Sequence, residues 1–152
     1  ARWAEALEKM KPHLLPLFAH HPFRAAGRVS DERLRAVQAS GILRTLQNNQ
    51  PRADQPYQTM QLAQFNFFLD GGLLASDEEH RLVLRPERYE TTVTDLLREV
   101  LAIQAAGDPK RAEAFFGRWT TWTPELHEAL GARLREAEGP RYRLVRYAAL
   151  GE

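Results

Sequence analysis

The chain has 152 residues, of which 43% are hydrophobic, and this length and composition predict one domain with a buried core. The absence of cysteine excludes disulfides, thiolate zinc sites and cysteine nucleophiles. The net charge of +1 argues against a protein that depends on nucleic acid. No apolar run approaches the ~20 residues that cross a bilayer, and the first residues do not resemble a secretory signal. We therefore expect a cytoplasmic chain that makes no membrane contact.

The first third of the chain has the composition of two helices joined by a connector at residues 20–27. Pro12 and Pro16 interrupt the first helix, which predicts a kink or a division into two short helices. Ser30 is the predicted N-cap of the second helix, because acidic residues follow it in the first turn. Gly41 is the predicted weak point of that second helix. Apolar residues of the first helix recur at spacings of three and four: Leu7, Met10, Leu14, Leu15 and Phe18.

The middle of the chain is its most apolar part and holds the predicted central helix. Residues 47–56 are polar and include two prolines, which is typical of a loop. Apolar residues nearly encircle residues 57–70, so this helix is expected to be buried on several sides. The two glycines at 71–72 end it. Residues 73–85 are expected to form a β-hairpin with its turn at three consecutive acidic residues.

The last third of the chain predicts three more helices. Residues 87–106 carry one apolar stripe, and Gly107 ends the helix they form. Asp108 then caps a helix that starts on a proline. The same pattern recurs at Thr123, which opens the last helix. Residues 141–147 are a candidate final strand.

These elements predict the fold class. We expect a mainly α protein: a multi-helix orthogonal bundle with a small β-hairpin and the candidate short C-terminal strand. Residues 1–152 are expected to form a single helical domain. Its core should be the meeting point of five side chains: Phe65, Phe68, Leu97, Leu101 and Phe115.

The sequence offers few groups that could carry chemistry. His13, His20 and His21 are the closest approach to a metal cluster, but adjacent histidines rarely point at one ion. Residues 77–80 offer further donors, yet neighbouring side chains splay apart and indicate a solvated turn. Residues 98–107 invite comparison with a Nudix box, but apolar residues stand where its second acidic pair is required. We therefore predict no catalytic residue in this chain.

Two further groups are candidates for ligand contacts. Trp119 and Trp122 flank two threonines at the junction of the last two helices. They favour packing at that junction, with a ligand-stacking platform as the alternative. Arg141 and Arg143 lie in a basic and aromatic stretch that favours an edge strand with a basic face, with an anion-binding surface as the alternative.

Two stretches resemble the dipeptidyl peptidase III family, and most closely its bacterial and plant branch, in which the peptidase-like region can follow a Nudix domain. Residues 97–108 read Leu-Arg-Glu-Val-Leu-Ala-Ile-Gln-Ala-Ala-Gly-Asp, and the likeness continues to Leu130. Residues 64–74 read Gln-Phe-Asn-Phe-Phe-Leu-Asp-Gly-Gly-Leu-Leu and resemble the buried helix and turn just upstream. The resemblance implies a helical C-terminal portion of a longer chain, and the start at Ala1 instead of methionine fits this expectation.

The resemblance also implies what the chain lacks. The family binds zinc through a His-Glu-x-x-(x)-Gly-His type motif, which is absent here, and through a glutamate of a Glu-Glu-x-x-Ala-Asp/Glu motif. Residues 8–13, Glu-Lys-Met-Lys-Pro-His, resemble an eroded form of the second motif. Lys9 then replaces the metal-binding carboxylate, and a protonated amine has no lone pair to donate. Glu8 and His13 are left as weak metal candidates.

A later arginine-rich family feature, which ends in Glu-Ala-His-Gly, corresponds to residues 44–58. Here the histidine is missing, and Arg44 and Tyr57 become binding candidates. We expect a lobe with no cofactor and no active site of its own, which forms a cleft wall or binds the rest of a longer chain, a protein or a peptide. The alternatives are a complete small hydrolase with an unrecognised histidine site, and a polyanion-binding module that uses the C-terminal arginines.

Overall fold

The computed structural model describes residues 3–46, 55–79 and 81–138. Within them it has α1 (Ala4–Ala25), α2 (Asp31–Leu46), α3 (Pro56–Asp70), β1 (Leu74–Ser76), β2 (Leu82–Leu84), α4 (Tyr89–Ala106), α5 (Pro109–Trp119) and α6 (Ala129–Glu138). A 3₁₀ turn precedes α4, and a π-helical turn precedes α6. The two strands pair antiparallel, with Ala75 opposite Val83. The predicted mainly α fold with a small hairpin is confirmed, and the candidate final strand lies outside the described residues.

The predicted division of the first helix into two is wrong, and the predicted connector starts later than expected: His20, His21 and Pro22 lie on α1, whereas Gly27 follows its end. α1 is one helix of 22 residues with Pro12, Pro16 and Pro22 inside it. All three prolines lie on its exposed side, where water can reach the carbonyls that lose their hydrogen bonds. The opposite side of α1 is buried from Ala6 to Leu17, on both sides of the first two prolines. Packing of this face outweighs the local penalty of the prolines.

Local signals place the other helix ends close to their predicted positions. The backbone N–H of Arg33 donates to Ser30 Oγ at 3.2 Å, and that of Lys110 donates to Asp108 Oδ1 at 2.9 Å. Gly107 ends α4 in the left-handed conformation, with a φ of 61°. After α3 the left-handed residue is Gly72, with a φ of 69°. These caps supply partners for backbone groups that the helix ends leave unpaired.

The core forms around α3, as its composition predicts. Phe65 and Phe68 are fully buried, and Leu97 and Phe115 belong to the same core. Leu101 is the exception in the predicted core, because 42% of it is exposed. It lies about 40° around α4 from Leu97, beyond the edge of the buried arc. The core also contains residues of α1, α2 and the hairpin: Ala6, Leu7, Met10, Leu14, Leu17, Ile42, Leu46, Leu73 and Leu74.

Gly41 allows α1 and α2 to pack closely, and its predicted weakness within α2 stays a prediction. A β-carbon placed on Gly41 would lie 2.6 Å from a side-chain carbon of Leu17. Both residues are buried. The missing side chain therefore allows the close contact between the two helices, which positions the groove described below.

Phe68 and Leu101 provide a matched test of this core. Phe68→Ala should lower the free energy of unfolding by about 3–5 kcal/mol, since it empties a fully buried site. Leu101→Ala should cost less than about 1 kcal/mol, because much of that side chain already contacts water. Denaturant unfolding of both variants measures the difference. A loss below about 1 kcal/mol in Phe68→Ala, as small as that expected for Leu101→Ala, would mean that α3 is not the central helix.

Candidate functional site

A groove of about 460 Å³ runs between α1 and α2. On α2 its residues recur at spacings of three and four, so that they line one face over about 16 Å. Small side chains at the centre of that face form a shallow trough. We call this feature the α1–α2 groove, and it is lined by Pro12, His13, Pro16, Leu17, Arg33, Ala36, Val37, Ser40, Gly41 and Arg44.

The groove brings together His13 and Arg44, two residues that the sequence singled out separately. The Nδ1 atom of His13 is buried and has no hydrogen-bond partner among the described residues. Burial lowers the pKa of His13, and the positive charge of Arg44 lowers it further. The uncharged imidazole is therefore favoured where the groove already holds an arginine.

Gln64 of α3 lies beside the imidazole of His13 on the inner side of the groove. Its carboxamide opposes the lowering of the His13 pKa. Gln64 is fully buried, yet neither its Oε1 nor its Nε2 has a hydrogen-bond partner of good geometry among the described residues. Such unpartnered polar atoms are few in native proteins and call for an explanation. The side chain behind His13 is thus polar although it is buried from solvent.

The groove has an excess of positive charge. Arg33 and Arg44 lie eleven residues apart on the same face of α2. Neither forms an ion pair with a described residue, and none of the described residues that line the groove is acidic. Arginine in this situation offers forked N–H donors to an anion.

The two weak metal candidates face different cavities. Glu8 lines a second cavity of about 480 Å³, beside Lys11 and Gln104, whereas His13 lines the α1–α2 groove. Over the described parts of the chain, no three His, Asp or Glu side chains come close enough to hold a metal ion. The residues present therefore do not match the ligand set of a zinc site.

Lys9 and Tyr57 lie close to each other. The Nζ atom of Lys9 is 5.9 Å from the centre of the Tyr57 ring, a cation–π distance. Half of Tyr57 is exposed, so its binding role stays a prediction.

The other two predicted histidines are also apart from His13. They lie on α1 and not in a connector. His20 contacts the carbonyl of Pro16. His21 contacts Glu90 at 3.2 Å and accepts a hydrogen bond from Gln38 at 3.5 Å. The three histidines do not form one cluster.

The predicted tryptophan pair makes packing contacts at the junction that follows α5. Trp119 is buried against Phe67, with ring centres 4.9 Å apart. Trp122 stacks on His127, with ring centres 4.9 Å apart. A ligand-stacking role for either stays a prediction, and Arg141 and Arg143 lie outside the described residues.

His127 is a buried residue that the sequence did not reveal. The backbone N–H of Thr123 donates to its Nδ1 at 2.9 Å, and Nε2 lies 2.8 Å from Asn66 Oδ1, so a ring protonated on Nε2 satisfies both contacts. The Asn66 amide donates in turn to the carbonyls of Trp119 and Thr121, each at 2.8 Å. This network joins α3 to the segment between α5 and α6. Asn66 lies 61 residues from His127 in the chain, and no local sequence pattern predicts their contact.

One exposed face of α1 is apolar. Leu15 and Phe23 are 43% and 46% exposed. The face continues through residues spaced by three or four, and Phe18 lies beside it. We call it the α1 apolar stripe, and it consists of Pro12, Leu15, Pro16, Ala19, Pro22 and Phe23. No helix in the described regions is both long and apolar enough to cross a bilayer.

Comparison with known proteins identifies two solved structures with a similar fold. No family model and no curated protein matches the chain. Dipeptidyl peptidase III from Caldithrix abyssi matches 90% of the chain with a TM-score of 0.73 and 24% identity. The enzyme from Corallococcus sp. strain EGB matches 87% with a TM-score of 0.71 and 20% identity. The chain covers 26% and 25% of those two proteins, so it has the fold of about a quarter of a dipeptidyl peptidase III.

The buried His127 predicts how stability depends on pH. Burial lowers its pKa, so the unfolded chain binds a proton at a higher pH than the folded protein does. The stabilisation is complete above the ordinary histidine pKa of about 6.5 and is lost as pH falls through the lowered value. Denaturant unfolding from about pH 7.5 to about pH 5 should show this loss.

His127→Gln is the matched variant, because its amide can still donate to Asn66 but does not titrate in this range. It should remove part of the pH dependence. Adding His13→Gln should remove more, since the pKa of His13 is also lowered. An unchanged pH dependence in the double variant would contradict the assignment of both imidazoles.

Proposed function

We propose that this chain is a helical lobe that binds and does not catalyse. It forms one wall of a cleft in a dipeptidyl peptidase III-like protein, against the rest of a longer chain or a separate partner. Support comes from the fold, which matches about a quarter of two dipeptidyl peptidase III structures. The sequence resemblance to the same family also supports this assignment. We also propose that the protein is cytoplasmic, as the sequence predicts.

The observation that carries the proposal is the α1 apolar stripe. Leu15 and Phe23 are exposed on the same helix face as three prolines. Contiguous exposed apolar surface of this kind marks contact sites on proteins that are otherwise well packed. A partner lobe that covered the stripe would bury this apolar area and would have to supply hydrogen-bond donors for the carbonyls that the prolines leave unpaired.

The placement of the possible metal ligands on α1 supports a binding role and argues against metal catalysis. Lys9 stands where the resemblance places a metal-binding glutamate, and its ammonium group lies over the Tyr57 ring. Glu8 and His13 face separate cavities. A zinc ion needs three or four lone-pair donors in one place, which these side chains do not supply. We therefore derive no hydrolytic step in this chain.

Metal content and turnover test the first half of the proposal. The purified chain should contain far less than one zinc per molecule and should not release arylamine from dipeptidyl-arylamide substrates, with or without added zinc. Stoichiometric zinc that disappears in His13→Gln or Glu8→Gln would overturn this half. Turnover by the chain alone would favour the alternative of a complete small hydrolase.

Photo-crosslinking tests the second half. A photoreactive phenylalanine analogue replaces Leu15 or Phe23 in the protein expressed in its source organism. Either position should crosslink to a peptide that mass spectrometry assigns to a peptidase-like region. Glu113, which is exposed on α5, is the matched control position and should give no such product. Equal crosslinking at all three positions would mean that the stripe is not a contact surface.

A further inference from the structure

The α1–α2 groove has the layout of a site for a small amphipathic anion. Its trough is apolar or small along Ala36, Val37 and Gly41 of α2. The wall on α1 adds two prolines and a leucine. An alkyl chain laid along such a surface removes apolar area from water without meeting a charged group.

The end of the groove near His13 and Arg44 supplies the polar contacts. Arg44 is exposed and forms no ion pair with a described residue. A neutral imidazole carries one ring N–H, and a rotation of the His13 ring would place it as a second donor beside the guanidinium. Two donors side by side suit the two oxygens of a carboxylate.

We propose that the α1–α2 groove binds a carboxylate that carries an aliphatic chain. The carboxylate lies between Arg44 and His13, and the chain lies in the trough between the two helices. A metal cation is disfavoured by the two arginines of the groove and by the lack of acidic side chains in its described lining. This binding does not rest on the proposed function, because the site is built from residues of this chain alone.

The unpartnered atoms behind His13 support the site. The carboxamide of Gln64 lies beside the imidazole, with its polar atoms unused by the described residues. A carboxylate bound at Arg44 would favour a rotation of the His13 ring that turns one ring nitrogen toward the anion. The other ring nitrogen would then face Gln64, which can either donate or accept.

Sodium hexanoate is the probe, and amide chemical shifts of the purified chain are the readout. Hexanoate should give saturable shifts that are concentrated in α1 and α2. Arg44→Gln should weaken binding by about tenfold or more, because a charge-assisted contact is lost. Arg35→Gln is the matched control, since Arg35 lies on the same helix but does not line the groove, and its affinity should stay within about twofold.

The trough has its own test. Ala36→Leu fills the trough at an exposed position, so it should weaken hexanoate binding by about fivefold or more without loss of folding. Ala39→Leu, on the same helix but outside the groove, should leave the affinity unchanged. Far-ultraviolet circular dichroism and the midpoint of thermal unfolding confirm that each variant is folded.

Three outcomes would overturn the inference. Binding of hexylamine as tight as that of hexanoate would mean that the site has no preference for an anion. Binding of inorganic phosphate tighter than that of hexanoate would make the site one for phosphate without an apolar chain. Equal affinities of Arg44→Gln and Arg35→Gln would place the binding elsewhere. None of these outcomes bears on the zinc or crosslinking results, so the two proposals fail separately.

Discussion

Burial of one side of α1 is the constraint on which the rest of the structure depends. This side packs against α3 and α4 and carries Leu7, Met10 and Leu14 into the core. Because the packing extends past Pro12 and Pro16, the helix stays continuous, and His13 and Leu17 reach α2. A break at either proline would separate the residues that line the groove. The cost of proline is local, whereas the burial that offsets it comes from the whole bundle.

The sequence predicted those features that depend on neighbouring residues. Caps at Ser30 and Asp108 and the end of α4 at Gly107 follow from side chains or backbone within one turn. The length of α1 could not be predicted in this way, because the contacts that hold it come from distant parts of the chain. The exposure of Leu101 could not be predicted for the same reason. Its spacing from Leu97 fits a helix stripe, but the width of the buried arc is set by the helices packed against α4.

The candidate site was predictable in parts and not as a whole. His13 and Arg44 were each singled out through the family resemblance, yet their meeting in one groove depends on the close approach of Leu17 to Gly41. A glycine inside a helix suggests weakness when only propensity is considered, and here it permits contact. The network of His127 and Asn66 had no local signal at all, since its two members lie 61 residues apart in the chain.

The groove and the α1 apolar stripe share two residues, and this connects the two proposals physically. Pro12 and Pro16 belong to the wall of the groove and also to the exposed stripe. A partner that covers the stripe therefore reaches the edge of the groove and changes how much of it water can enter. Since apolar contacts and charge-assisted hydrogen bonds both strengthen as water is excluded, a carboxylate bound at Arg44 would be held more tightly in the assembled protein than in the isolated lobe. If the lobe forms a cleft wall as proposed, this coupling would influence what the cleft retains.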